Sequence, residues 1–172
     1  MSRIRYGVAM SLDGFIAGPN GEADWIVIDP EFNFTKLWAQ FDTALMGRLT
    51  YQAALARLGE SAFNTMKTFV ASRTLDPAGH PGVTIFPELN RELLQSIRAQ
   101  SKKDIWLFGG GKLFAQLLAM AEVDTVEVTI VPVLLGAGVP LLPSAAQRKQ
   151  LHLQEHKIYN SGTVHLVYEV AS

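Results

Sequence analysis

Two rhythms of apolar and polar positions run through this chain, one with a period of two residues and one with a period near four. Ile4 to Met10 is a strand candidate, ended by Ser11-Leu12-Asp13-Gly14 and followed by a loop through Gly18-Pro19-Asn20-Gly21. Glu31 to Gln40 is predicted helical, Thr43 to Met46 a short buried strand, and a helix starts near Leu49. Lys67 to Ala71 and Val83 to Phe86 read as strands. Leu89, Leu93 and Ile97 repeat at every fourth position with Leu94 beside them, which predicts an amphipathic helix. Ile105 to Phe108 is a buried strand, and Lys112 to Met120 a helix with Leu113, Phe114, Leu117 and Leu118 on one face. Val126, Val128 and Ile130 alternate with Thr125, Glu127 and Thr129, the pattern of a strand. Two last strand runs, His152 to Tyr159 and Thr163 to Val170, flank the hairpin turn Asn160-Ser161-Gly162.

Alternating strand and helix segments predict an α/β fold whose largely parallel sheet is covered on both faces. The terminal hairpin adds antiparallel strands at one edge. Sheets of this kind bind ligands outside the carboxyl ends of their strands, where helices begin. A length of 172 residues fits one domain over 1–172, and 48% hydrophobic residues supply a sizeable core. The 15 basic and 16 acidic residues leave a formal charge of −1, which argues against nucleic acid or an anionic membrane as partner. With no cysteine there is no disulfide, thiolate zinc site or cysteine nucleophile. No run approaches the roughly 18 apolar residues of a membrane span, and no signal-like stretch opens the chain, so a cytoplasmic location is expected. His152 and His156 fall in a predicted strand, where four residues span about 13 Å, too far apart to share one metal ion.

Chemistry is concentrated at two strand-to-helix junctions. In Met46-Gly47-Arg48-Leu49-Thr50-Tyr51 a glycine admits close approach of a ligand to the backbone, the helix start offers free N–H groups, and Arg48 and Thr50 add donors. Phe108-Gly109-Gly110-Gly111-Lys112 repeats the arrangement. Two such junctions in one sheet are suited to the two ends of a pyrophosphate. Neither is the G-x-G-x-x-G fingerprint or a P-loop. At the end of another apolar strand, Ser72 and Arg73 present a hydroxyl and a planar cation suited to a further phosphate. Trp25, Phe32, Phe34 and Trp38 cluster in the first helical region.

Taken in order, Ser11-Leu12-Asp13-Gly14, Met-Gly-Arg-x-Thr-Tyr, Ser-Arg-Thr-Leu, the Gly-Gly-Gly junction, Val123-Asp124 and Val131-Pro132-Val133-Leu134-Leu135-Gly136 resemble the dihydrofolate-reductase-like superfamily. Within it, the chain is similar to the C-terminal reductase domain of riboflavin-biosynthesis deaminase/reductases, and the resemblance spans nearly its whole length. It implies a three-layer α/β/α fold and an NADPH-dependent oxidoreductase acting on a pyrimidine- or pterin-like molecule, of the 5-amino-6-(5-phosphoribosylamino)uracil reductase type. It also implies that Ala9 and Ile16 flank the nicotinamide, and that Gly47, Arg48 and Thr50 hold phosphates. Ser72 and Arg73 would take the 2′-phosphate. Gly109, Gly110, Gly111, Lys112, Leu113 and Phe114 would wrap the pyrophosphate and ribose, with a cis bond between Gly109 and Gly110. Trp25 and Phe34 would line the substrate pocket.

The chain departs from the family pattern in two places. Riboflavin-pathway reductases carry a Lys in the first strand and a Glu before Gly-Gly; here that strand has Tyr6, Val8 and Met10, and Phe108 precedes the glycines. The elements of the fused zinc deaminase are absent. Two carboxylates are candidate catalytic groups. Asp13 belongs to the riboflavin-type motif but also suits a turn, and Glu31 matches by its spacing to Met46 the acid of dihydrofolate reductases, with Asp29 as the alternative. A dihydrofolate reductase and a non-catalytic dinucleotide-binding module therefore stand as rival readings. The apolar stretch Val131 to Leu142 beside a sheet edge predicts a homodimer.

Overall fold

The computed structural model describes residues 2–143 and 148–171. Its strands are β1 (Ile4–Ser11), β2 (Phe15–Ala17), β3 (Phe41–Gly47), β4 (Lys67–Ala71), β5 (Thr84–Phe86), β6 (Asp104–Gly109), β7 (Thr125–Val131), β8 (Val139–Pro140), β9 (Leu151–Ile158) and β10 (Val164–Val170). Four α-helices are interspersed, α1 (Phe34–Trp38), α2 (Arg48–Leu58), α3 (Arg91–Gln100) and α4 (Gly111–Ala119). Eight strands form one sheet in the order β5–β4–β3–β6–β1–β7–β10–β9. The first six in that order run parallel, while β10 pairs antiparallel with both β7 and β9.

The period-two pattern of the strands divides the core between the two faces. Ile4, Tyr6, Leu45, Phe69, Ile105, Leu107, Val126 and Val128 are buried against Leu94 and Ile97 of α3 and Leu113, Phe114 and Leu117 of α4. Tyr6 stacks on Phe114 with ring centroids 3.9 Å apart. On the other face Ala44, Met46 and Val70 meet Tyr51 and Ala54 of α2 and Phe63. The result is three layers with helices on both sides, as the alternating pattern predicts.

The helix expected over Glu31 to Gln40 is reduced to the five residues of α1. Asp29 forms a turn there instead, its carboxylate accepting from the Glu31 amide at 2.8 Å and its carbonyl from the Phe32 amide at 2.9 Å. Asn33 then caps α1, accepting from the Lys36 amide. No residue of α1 is buried, so no packing energy supports a longer helix. Glu31 thus sits in the turn and not on a helix.

A two-stranded ribbon of β2 and β8 has no counterpart in the sequence reading. It is sewn down by Leu12 N–H to the Val133 carbonyl and by Leu141 N–H to the Gly14 carbonyl. A Cβ at Gly138, where φ is 159°, would collide with the Ala17 carbonyl oxygen, so the close approach of the two segments needs glycine.

Candidate functional site

Because β1, β3, β4, β6 and β7 run parallel, Ser11, Gly47, Ala71, Gly109 and Val131 all end at one edge of the sheet. Helices α2 and α4 start there, capped by Gly47 and Gly110 with no side-chain hydrogen bond at either cap. By contrast, α1 and α3 carry asparagine caps. The first-turn amides of α2 and α4 are therefore free of side-chain acceptors and lie at the positive end of each helix dipole.

The two glycine junctions meet. A Cβ on Gly47 would lie 3.9 Å from both the Gly109 oxygen and the Gly110 nitrogen, and one on Gly110 would lie 3.4 Å from Thr50 Oγ1. The Gly109–Gly110 peptide is cis, as the family resemblance implies, and Gly109 has a φ of 128°, which favours glycine. A Cβ on Gly111 would press on the Pro140 and Leu141 carbonyl oxygens at 3.0 and 3.1 Å, so α4 starts flush against the segment after β8.

The remaining cofactor candidates fall into two groups. Arg48 is half-buried and donates to Gln52 Oε1 at 2.9 Å, while Lys112 and Arg73 are exposed. Arg73 makes one long contact, from Nε to the Pro87 carbonyl at 3.4 Å. Ala9 and Ile16 are half-buried on β1 and β2. The other group is occupied structurally. Ser72 is buried, and its Oγ accepts from the Thr74 and Leu75 amides. The side chains of Leu113 and Phe114 lie in the core, and the Phe114 amide donates to the Gly110 carbonyl, which leaves no side chain of this pair facing the junctions.

The candidate carboxylates hold loops together. Asp13 accepts from Ser11 Oγ at 2.6 Å and from the amides of Leu135 and Gly136, joining the turn after β1 to the segment after β7. The Ser11 hydroxyl first, then the Gly136 and Leu135 amides, hold its carboxyl below the ordinary value. Asp29 accepts from the Ser161 amide at 3.0 Å, and its bonding to Ser161 and to the Glu31 amide lowers its carboxyl likewise. Glu31 accepts from Asn160 Nδ2 at 2.6 Å and lies 3.7 Å from Lys157 Nζ. Asp29 and Glu31 thus pin the turn before α1 to the β9–β10 hairpin.

That pinning roofs a cleft on the α1 side of the sheet. Phe32 lies 4.7 Å from Phe34, which lies 5.6 Å from Trp38. Trp25 is half-buried outside this row, its Nε1 donating to the Glu22 carbonyl. The floor opposite comes from alternate residues of four strands: Trp106 and Phe108 of β6, Gly7 and Ala9 of β1, Glu127 and Thr129 of β7, and His165 of β10. Trp106 Nε1 donates to the Gly7 carbonyl at 3.2 Å, and a Cβ on Gly7 would fall 2.9 Å from that nitrogen. Thr129 Oγ1 and His165 Nδ1 are 3.0 Å apart, and the Phe32 ring stands edge-on to the imidazole at 6.2 Å. Burial pushes His165 below the ordinary histidine value against the opposing pull of Glu127 and Glu155. Phe108, Thr129 and His165 lie on this floor and are not among the candidates the sequence offers. A separate depression of about 460 Å³, lined by Asp42, Phe63, Thr65, Met66, Lys67 and Gly82, lies at the opposite edge, where β3 and β4 begin.

This topology is that of the dihydrofolate-reductase-like fold. The chain belongs to the RibD C-terminal domain family, whose sequence model matches residues 3–167. It is 32% identical over 177 residues to the uncharacterized protein YyaP of Bacillus subtilis (strain 168), covering 96% of this chain and 94% of that one. A putative riboflavin biosynthesis protein from Shewanella sp. PV-4 superposes with a TM-score of 0.84 at 23% identity, over 100% of both chains. Dihydrofolate reductase from Enterococcus faecalis, in complex with NADP(H), superposes with a TM-score of 0.70 at 13% identity, over 99% of this chain and 97% of that one. No helix among the described residues is long and apolar enough to cross a membrane.

Proposed function

We propose that this protein is an NADPH-dependent reductase of the riboflavin-biosynthesis type, transferring a hydride to a planar pyrimidine- or pterin-like ring. The observation that carries this reading is the convergence of two glycine junctions, each opening a helix whose first amides have no side-chain cap. A pyrophosphate placed between them would receive N–H groups from both helix starts, with Thr50 Oγ1 beside it and Arg48 nearby. NADPH supplies the hydride, and the chain supplies position and a dry surface. Gly47 and Gly109 to Gly111 admit the cofactor backbone-close. Ala9 and Ile16 face the nicotinamide, and Phe34 and its neighbours cover the substrate ring. Asp13 keeps the β1 turn in place. Rapid-mixing assays of NADPH oxidation with 5-amino-6-(5-phosphoribosylamino)uracil and with dihydrofolate test the reading. Cofactor-induced melting shifts without turnover of either ring would favour the non-catalytic module.

Arg73 is exposed, at the end of β4, and has no carboxylate among its contacts with the described residues. A charge-assisted contact to the 2′-phosphate contributes about 1.5–3 kcal/mol, a preference for NADPH over NADH of roughly 10- to 150-fold. Calorimetry should show that preference and its loss in Arg73→Ala; equal affinities for the two cofactors would sink it.

Assembly as a homodimer is part of the proposal. Leu141 and Leu142 pack on the core and Val139 pairs with β2, so much of the stretch after β7 is already used. Leu134 at its start stays exposed, and the free edge strand β9 exposes Leu153 and Ile158. Light scattering at micromolar concentration should give twice the 18.9 kDa chain mass, and a monomer mass would refute the dimer.

A further inference from the structure

We infer that His165 is a substrate-contacting residue, its Nε2 meeting the polar edge of the ring while Thr129 fixes the imidazole through Nδ1. The inference rests on the reductase reading of the cleft. Register places Ala9, Thr129 and His165 in one row across β1, β7 and β10, on one face of the sheet. Neighbouring strands are about 4.8 Å apart, so His165 stands about 10 Å across the floor from Ala9, with Thr129 between them, and a flat ring lying over the row would reach from one to the other.

The surroundings single out the imidazole. Phe32 and Phe34 above, and Trp106 and Phe108 along the floor, are apolar and suit the faces of a planar ring. Of the charged groups near the row, Glu127 and Lys157 are already engaged and Glu155 faces solvent. On β7, Glu127 holds Arg5 of β1, with Nε–Oε1 at 2.5 Å and Nη2–Oε2 at 2.8 Å. On β9, Lys157 pairs with Glu31 of the turn and lies over the Tyr159 ring. Glu155, also on β9, is exposed. His165 has one ring nitrogen bonded to Thr129, and its Nε2 has no hydrogen-bond partner among the described residues. Burial favours the neutral ring, in which the Thr129 bond selects the tautomer and therefore whether Nε2 donates or accepts. A ring edge carrying adjacent amide- or amidine-type groups offers the matching partner in either case.

The test compares the parent with His165→Phe, His165→Gln and Thr129→Val. NADPH affinity is measured first by calorimetry, without any ring. The affinities of the NADP⁺-saturated proteins for 5-amino-6-(5-phosphoribosylamino)uracil and for dihydrofolate are measured next. His165→Phe should weaken the ring that the parent binds by about tenfold or more, the order expected for one lost hydrogen bond, and leave NADPH affinity within about twofold. His165→Gln, whose amide reaches the same position, should recover part of the loss, and Thr129→Val should fall between. In the parent, the His165 imidazole nitrogen resonances should shift when the ring is added and not when NADP⁺ is added, a readout that survives if a variant fails to fold. Unchanged ring affinity in His165→Phe, an unmoved His165 resonance, or a parent that binds NADPH but neither ring overturns the inference. Failure of the parent to bind NADPH overturns the reductase reading instead, and ring titrations on the free protein then decide the role of His165.

Discussion

Glu127→Ala is expected to destabilise the protein by about 3–5 kcal/mol, the usual cost of removing one member of a buried ion pair. Arg5 is only 8% exposed and Glu127 only 4%. The guanidinium gives Nε and Nη2 to the two carboxylate oxygens, and Thr125 Oγ1 donates to Oε1 at 2.9 Å. Arg5 also reaches Gln40 Oε1 at 2.7 Å and Asp104 at 3.3 Å, and stands over the Phe41 ring. Those contacts engage Nη1 alone, so the alanine variant strands two buried donors and leaves the guanidinium charge only its 3.3 Å contact with Asp104. The pair is not thereby a large net source of stability, because desolvation of both ions offsets most of their attraction. The double variant Arg5→Met/Glu127→Leu should therefore recover most of the loss. Urea unfolding with an unchanged m-value measures both. A loss below about 1 kcal/mol in Glu127→Ala would show that the remaining partners of Arg5 suffice. The pair shares the face of the Ala9–Thr129–His165 row, with Glu127 two residues before Thr129 on β7 and Arg5 four before Ala9 on β1, so loosening it should also disorder the cleft floor.

The main sheet was legible in the sequence wherever burial imposed a period. Alternation in Thr125 to Ile130 marked β7, and the spacing of Leu89, Leu93 and Ile97 marked α3. In the structure α3 begins at Arg91, where Asn90 caps it, and Leu89 is buried just ahead of the cap. The glycine junctions were legible for another reason: an apolar strand, glycine and an amphipathic helix in immediate succession leave the backbone one place to turn. What the sequence leaves hidden depends on pairing between distant residues. The β2–β8 ribbon joins segments more than 120 residues apart, each too short to show a period. Asp13 reads as ordinary turn chemistry from Ser-Leu-Asp-Gly, and its bonds to Leu135 and Gly136 appear only once β7 lies beside β1. Thr129 and His165 look like ordinary strand positions, and only the register brings them together. The helix over Glu31 to Gln40 failed because its aromatics face a cleft, where they gain little burial, and Asp29 bends the chain before them.

Gly110→Ala should weaken NADPH binding by roughly 10- to 150-fold while shifting the melting temperature little. The backbone of Gly110, with φ of −90° and ψ of −175°, lies in the extended region open to any residue, so alanine imposes no φ,ψ strain there. Its Cβ would meet one atom closely, Thr50 Oγ1 at 3.4 Å, and that hydroxyl is able to give by a few tenths of an ångström. Global stability should therefore survive. The space is the issue. The methyl group would project toward α2, between the two junctions, and displace a phosphate from the helix amides and from Thr50. Loss of one or two charge-assisted bonds corresponds to about 1.5–3 kcal/mol, hence the fold-change. Gly111→Ala is the contrasting variant, because its Cβ would press on the backbone oxygens of Pro140 and Leu141, which do not move freely. It should lower the melting temperature as well as affinity. Calorimetric titration with NADPH beside thermal unfolding separates the two. A Gly110→Ala protein with parental NADPH affinity would place the pyrophosphate elsewhere, whereas one that loses affinity and stability in parallel would make this glycine a structural residue and not a binding one.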